Sequence, residues 1–165
     1  MKLRLFFIFL MATWLTACNE KNLFEPTPWI SGGAETWWAR SHADVNGDGL
    51  LDFFLIHNNA YGGWLGWYET LPGLDSTVQH IIAESGPEGG LFACGDLDSG
   101  DIDGDGDVDV LGPVGPGEWQ GGEGPVQMYW YENPSWKSHY IGEFPLVVKD
   151  VDLVDLDGDG KLDIA

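Results

Sequence analysis

A nine-residue acidic pattern, D-x-[DN]-x-D-G-x-x-D, occurs three times: "DVNGDGLLD" from Asp44, "DIDGDGDVD" from Asp101 and "DLDGDGKLD" from Asp155. Two carboxylates about 4 Å apart repel by ~4 kcal/mol at an effective dielectric of 20. Twelve of the chain's 27 acidic residues fall in these stretches. Such crowding is relieved by a bound cation, or by leaving each stretch as a solvated Gly-rich turn.

The copies start 57 and 54 residues apart, and more than the acidic stretch recurs. "WYET" at Trp67–Thr70 is matched by "WYEN" at Trp130–Asn133, and "QHIIAE" at Gln79–Glu84 by "SHYIGE" at Ser138–Glu143. The order is the same each time, so one module has been copied. The two Trp are 63 residues apart, and the excess falls in the Gly- and Pro-rich stretch Gly112–Pro125, a loop insertion.

Within a unit the apolar pieces are short, about four to seven residues, with β-branched and aromatic content and turn residues between them, which predicts strands. The first unit offers Thr36–Ala43, Phe53–His57, Trp64–Glu69 and Val78–Ala83. The second offers Leu91–Leu97, Val110–Leu111, Val126–Glu132 and Lys137–Gly142. Four antiparallel strands per unit is the make-up of a propeller blade, so the expected fold is all-β, a β-propeller with its acidic loops between strands. The blades would span about 36–84, about 91–143 and from about 147, the third cut short at Ala165. That extent predicts an incomplete propeller, either a fragment or a chain that assembles with others, since open sheet edges are avoided. A sandwich and a β-solenoid are the alternatives; sustained 3.6-residue periodicity is missing outside the N-terminus, which argues against helices.

In the acidic pattern, side chains at positions 1, 3 and 5 can converge on one centre, position 7 offers its carbonyl and a later acid closes the shell. The ligands predicted are Asp44, Asn46, Asp48, the Leu50 carbonyl and Asp52; then Asp101, Asp103, Asp105, the Asp107 carbonyl and Asp109; then Asp155, Asp157, Asp159, the Lys161 carbonyl and Asp163. All-oxygen ligation favours Ca²⁺ over Mg²⁺ and disfavours zinc, giving up to three structural Ca²⁺ sites. An EF-hand would need Glu at position 12, where Leu55 and Gly112 stand.

Lys2 and Arg4 precede an apolar run from Leu5 to Leu15, a charged region and a hydrophobic region of signal-peptide type. Leu15-Thr16-Ala17-Cys18 resembles the bacterial lipobox, which implies cleavage after residue 17, lipidation of Cys18 and a linker over 18–35. An ordinary secretory signal is the alternative. The formal charge of the whole chain is -20. Loss of residues 1–17 would leave 5 basic against 27 acidic residues, or -22, which disfavours nucleic acid and anionic membrane surfaces as partners. Membrane contact would then be through the lipid anchor alone, at a bacterial outer membrane or surface. Cys94 is the other cysteine and has no expected intramolecular partner if Cys18 is lipidated.

Together the acidic loops, "WYEN" and the H-x-I strand resemble the FG-GAP/VCBS repeat family of extracellular calcium-binding β-propellers, over roughly Trp37 to Ala165. The resemblance implies that each loop joins the innermost strand of a blade to the next strand and that its metal is structural. Trp67, Trp130, Tyr68 and Tyr131 occupy repeated positions and are expected to pack between blades; His80 and His139 recur in register and are expected to be structural. Trp119, beside Glu118 in the inserted loop, has no counterpart and is the candidate for stacking on a sugar ring. Asp96 and Asp98 match Asp150 and Asp152 and are expected either to line a channel or to support the loops. No nucleophile elbow, zinc-protease or phosphate-loop motif occurs. The function expected is therefore a non-catalytic carbohydrate- or protein-binding module; the alternatives are the propeller part of a polysaccharide lyase or other sugar-modifying enzyme, and a spacer or assembly module.

Overall fold

The computed structural model describes residues 36–59, 62–73, 76–92, 96–115, 125–145 and 148–165. The signal-like segment, Cys18, the linker, Cys94, Glu118 and Trp119 lie outside the described residues. The fold is all-β. Strands β1 (Thr36–Ala43), β2 (Asp52–Asn59), β3 (Gly62–Thr70) and β4 (Thr77–Ala83) make one antiparallel sheet in that order. A second sheet repeats the order with β5 (Ser99–Gly100), β6 (Asp109–Val114), β7 (Val126–Glu132) and β8 (Lys137–Phe144). A third unit supplies a two-stranded ladder, β9 (Leu153–Val154) and β10 (Asp163–Ile164). The arrangement is that of consecutive blades in a propeller whose ring these residues do not close.

Side-chain alternation explains how the units stack. Phe54, Ile56, Leu65 and Trp67 project from one face of the first sheet and meet Phe92, Leu97, Val110, Val114 and Tyr131 of the second unit in a single core. From the opposite face of the second sheet, Leu111 and Met128 pack on Val151, with Trp130 and Leu153 against them. The Trp-Tyr dipeptide thus serves two interfaces, because neighbouring residues on a strand point to opposite faces. Tyr131 enters the core shared with the first sheet, while Trp130 turns to the third unit. Every residue of β6 is buried, as a strand covered on both faces must be; each such apolar side chain contributes roughly 1.5–3 kcal/mol.

The described residues of the expected strand Leu91–Leu97 lie outside the second sheet's first strand, which is Ser99–Gly100. Among the described residues, Phe92 makes an isolated parallel bridge to Gly115, and Ser99 and Gly100 pair with Val110 and Asp109. Phe92 and Leu97 are buried in the core shared with the first sheet. Nearby side-chain oxygens take up main-chain groups. Asp98 accepts from the Ser41 hydroxyl on β1 (3.0 Å), from its neighbour Ser99 N–H (2.8 Å) and from Leu153 N–H on β9 (2.8 Å), so one carboxylate touches all three units.

The connector between the sheets contains a single 3₁₀ turn at Pro87–Gly89 and lies hard against the end of β6. A Cβ on Gly90 would sit 2.3 Å from the Val114 Cγ1 and one on Gly86 2.6 Å from both Val114 methyls, so both positions require glycine.

Phe54 is fully buried, whereas its neighbour Phe53 is 38% exposed on the other face. Phe54→Ala is expected to lower the unfolding free energy by about 3–5 kcal/mol. Phe53→Ala should cost no more than about 1 kcal/mol. Urea denaturation of the two variants checks the assignment of faces.

Candidate metal centre

The three acidic stretches sit at equivalent corners, joining β1 to β2, β5 to β6 and β9 to β10. Each turns on two glycines in the left-handed region, with φ of 73° and 89° at Gly47 and Gly49, 84° and 99° at Gly104 and Gly106, and 79° and 88° at Gly158 and Gly160. The glycine at position 4 is therefore as necessary as the expected one at position 6. It is visible in all three copies as the first Gly of Gly-Asp-Gly.

Side-chain oxygens then organise the amides. Both oxygens of the position-1 aspartate accept main-chain N–H groups: Asp44 from Asp48 (3.0 Å) and Gly49 (2.8 Å), Asp101 from Gly104 (2.7 Å) and Gly106 (3.1 Å). Asp155 takes Gly158 and Asp159 through one oxygen and Gly160 through the other. Position 3 accepts from position 5 in every loop, at 3.1 Å from Asn46, Asp103 and Asp157. Position 5 accepts from position 7, Asp48 from Leu50, Asp105 from Asp107 and Asp159 from Lys161, at 2.8–2.9 Å. Asn46 also donates to Glu69 Oε1 (3.4 Å). The other carboxylate oxygen of Glu69 meets His80 Nε2 at 2.8 Å, and the imidazole stacks on Trp67 at 4.2 Å. The second sheet repeats this set with Glu132, His139 and Trp130, at 2.7 and 4.3 Å, giving the repeated histidines their structural place on the outer strand.

The position-9 acid differs from the others. Asp52 and Asp109 are fully buried. Asp52 accepts Val45 N–H (3.1 Å) and Thr70 N–H (2.8 Å); Asp109 accepts Ile102 N–H (3.1 Å) and Asn133 N–H (2.9 Å). Asp163 repeats the first of these bonds, to Leu156 N–H (3.0 Å). Each buried carboxylate thus fastens the start of its loop to the end of the third strand of its sheet, at Thr70, the last residue of β3, or Asn133, the first after β7, in addition to any ligand role. Burial holds both carboxyls above the ordinary aspartate value; the accepted N–H groups pull the other way and neighbouring loop aspartates push further up. Asp96 is raised as well, first by burial, with Asp150 and Asp98 adding to the effect against the N–H groups of Leu97 and Arg40.

Two groups of three acids converge among the described residues: Asp101, Asp103 and Asp109, and Asp155, Asp157 and Asp159, with one ligand atom of each within 4.8 Å of the others. The first loop, with Asn46 at position 3, forms no such all-carboxylate group among the described residues. Asp105, Asp107 and Asp163 stand in or beside these loops, outside the two tight groups. The first two loops contain no Lys or Arg, and the third contains Lys161. Converging carboxylate oxygens without nitrogen or sulfur donors fit a hard divalent cation.

The raised carboxyls give a sign for pH dependence. An acid whose folded pKa lies above its unfolded value supports the fold fully below the unfolded pKa and loses that support as pH rises through the folded one. Cation-stripped protein should therefore lose the contribution of Asp52, Asp96 and Asp109 as pH climbs from about 3.9. In Asp52→Asn the fall should be smaller, as followed by urea midpoints across that range; an equal fall in both proteins would contradict the assignment to Asp52.

No curated protein and no solved structure matches the chain. Residues 101–165, which carry the second and third acidic loops and β6–β8, match the family model of the FG-GAP-like repeat.

Proposed function

We propose that this chain is an exported, lipid-anchored β-propeller repeat protein whose acidic loops bind Ca²⁺ and whose blades present a surface to a carbohydrate or protein ligand, without catalysis of its own. The observation that carries the reading is the convergence of three carboxylates at the same corner in two consecutive units. The match to the FG-GAP-like repeat supports a propeller-type binding module.

In the second loop Asp101, Asp103 and Asp109 would hold the ion with Asp105 and the Asp107 carbonyl. In the third, Asp155, Asp157 and Asp159 would do so with the Lys161 carbonyl and Asp163. Asp44, Asn46, Asp48, the Leu50 carbonyl and Asp52 form the first and less acidic set. The ion supplies positive charge that offsets carboxylate repulsion and orders the loops. Cys18 would carry the lipid, placing the propeller at the bacterial envelope, and Trp119 with Glu118 would contact the ligand. No helix among the described residues is long and apolar enough to cross a membrane.

A chelator should lower the melting temperature, and Ca²⁺ rather than Mg²⁺ should restore it. One site at a free Ca²⁺ concentration 100 times Kd adds about 2.7 kcal/mol. Unchanged melting curves with chelator would overturn the cation reading. Trp119→Ala should abolish retardation by an immobilised glycan while leaving the Ca²⁺-dependent melting shift intact; equal retardation of both proteins would remove Trp119 from the ligand site.

A further inference from the structure

The residue after the repeated Trp-Tyr-Glu is Thr70 in the first unit and Asn133 in the second. Both give their main-chain N–H to the buried position-9 aspartate of their own loop. Their side chains diverge. The Thr70 hydroxyl stays within its own unit and donates to the Leu51 carbonyl at 2.7 Å. Asn133 Nδ2 crosses to the preceding unit and donates to the Val45 carbonyl at 3.3 Å, in a buried position.

The Val45 carbonyl belongs to the peptide that leads into Asn46, the third position of the first loop, and the Val45 N–H is held by Asp52. The second loop is closed in the same way, by Asp109 holding Ile102 and Asn133. An unbroken run of main-chain and side-chain bonds therefore joins the two loops, from Asp52 through Val45, Asn133 and Asp109 to Ile102. Trp136, in the same turn as Asn133, lies edge-on to Phe54 at 6.2 Å and seats that turn on the first sheet.

We propose that Asn133 is a positioning residue that couples cation binding in the first acidic loop to cation binding in the second. The inference rests on the cation reading above. A loop ordered by its own ion fixes Asp109 and hence the backbone of Asn133, so the Val45–Asn46 peptide of the neighbouring loop is already constrained when its own ion arrives. The second binding event then has less disorder to remove, and the effect is reciprocal. The same factor acts on both loops, and it is read in the first, which has fewer carboxylates.

The test is a Ca²⁺ titration of the full chain followed by amide resonances, with Gly47 and Gly49 reporting the first loop and Gly104 and Gly106 the second. The second loop is silenced by Asp103→Asn with Asp105→Asn, with and without Asn133→Ala, which keeps the N–H to Asp109 and removes only the crossing bond. Asn133→Thr, the residue that the first sheet carries at this position, serves should the alanine variant not fold. Silencing the second loop should weaken the first by about three- to tenfold when Asn133 is present, the size expected of one buried hydrogen bond. It should weaken the first loop less than about twofold in either Asn133 variant. Equal weakening with and without Asn133, or none in either background, overturns the coupling while leaving the cation sites standing. Resonances of both loops that do not respond to Ca²⁺ overturn the cation reading and the coupling together.

Discussion

The buried carboxylate at the end of the first and second acidic loops is the contact on which the local architecture depends. Asp52 and Asp109 have no exposed surface, and each spends its oxygens on main-chain N–H groups from two distant points of the chain. A buried carboxylate without such partners would be strongly unfavourable. With them it fixes where the loop begins relative to where the third strand ends. The glycines that follow give the turn its left-handed bends, and the remaining aspartates crowd together as a result of that closure.

Stacking of the units follows from alternation on the strands. Because Trp67 and Tyr131 enter one core from opposite sides, the Trp face of one sheet is complementary to the Tyr face of the next. The second sheet carries both faces covered, so β6 is buried throughout, while β4 and β8 at the outer edge hold Ile81, Tyr140 and Ile141 partly in solvent. The His–Glu–Trp sets on those outer strands hold the third and fourth strands together by stacking and hydrogen bonding.

Much of this was legible in the sequence. Repetition of the acidic stretch and of Trp-Tyr-Glu revealed the module, and β-branched and aromatic runs located β1 and β7 at Thr36–Ala43 and Val126–Glu132. For the inner strand of the second unit the composition of Leu91, Phe92 and Leu97 points to Leu91–Leu97, whereas the described pairing lies at Ser99–Gly100, where small residues carry no strand signal. The second role of Asp52 and Asp109 was hidden for a different reason. In a run of aspartates nothing marks one as buried, and its N–H partners lie 18 and 24 residues downstream. The crossing bond from Asn133 was equally invisible, since Asn and Thr both suit the end of a strand and only the packing of two sheets decides which side chain reaches across.

Asp98 gives the molecule a mechanical property. Its carboxylate is held by β1 on one side and β9 on the other, so load applied to the first or third unit is passed directly into the middle one through short, stiff contacts. Gly86 and Gly90 press onto Val114 and tie the segment after β4 to the end of β6 as well. Displacing the middle unit relative to either neighbour therefore requires breaking a bond to this one carboxylate.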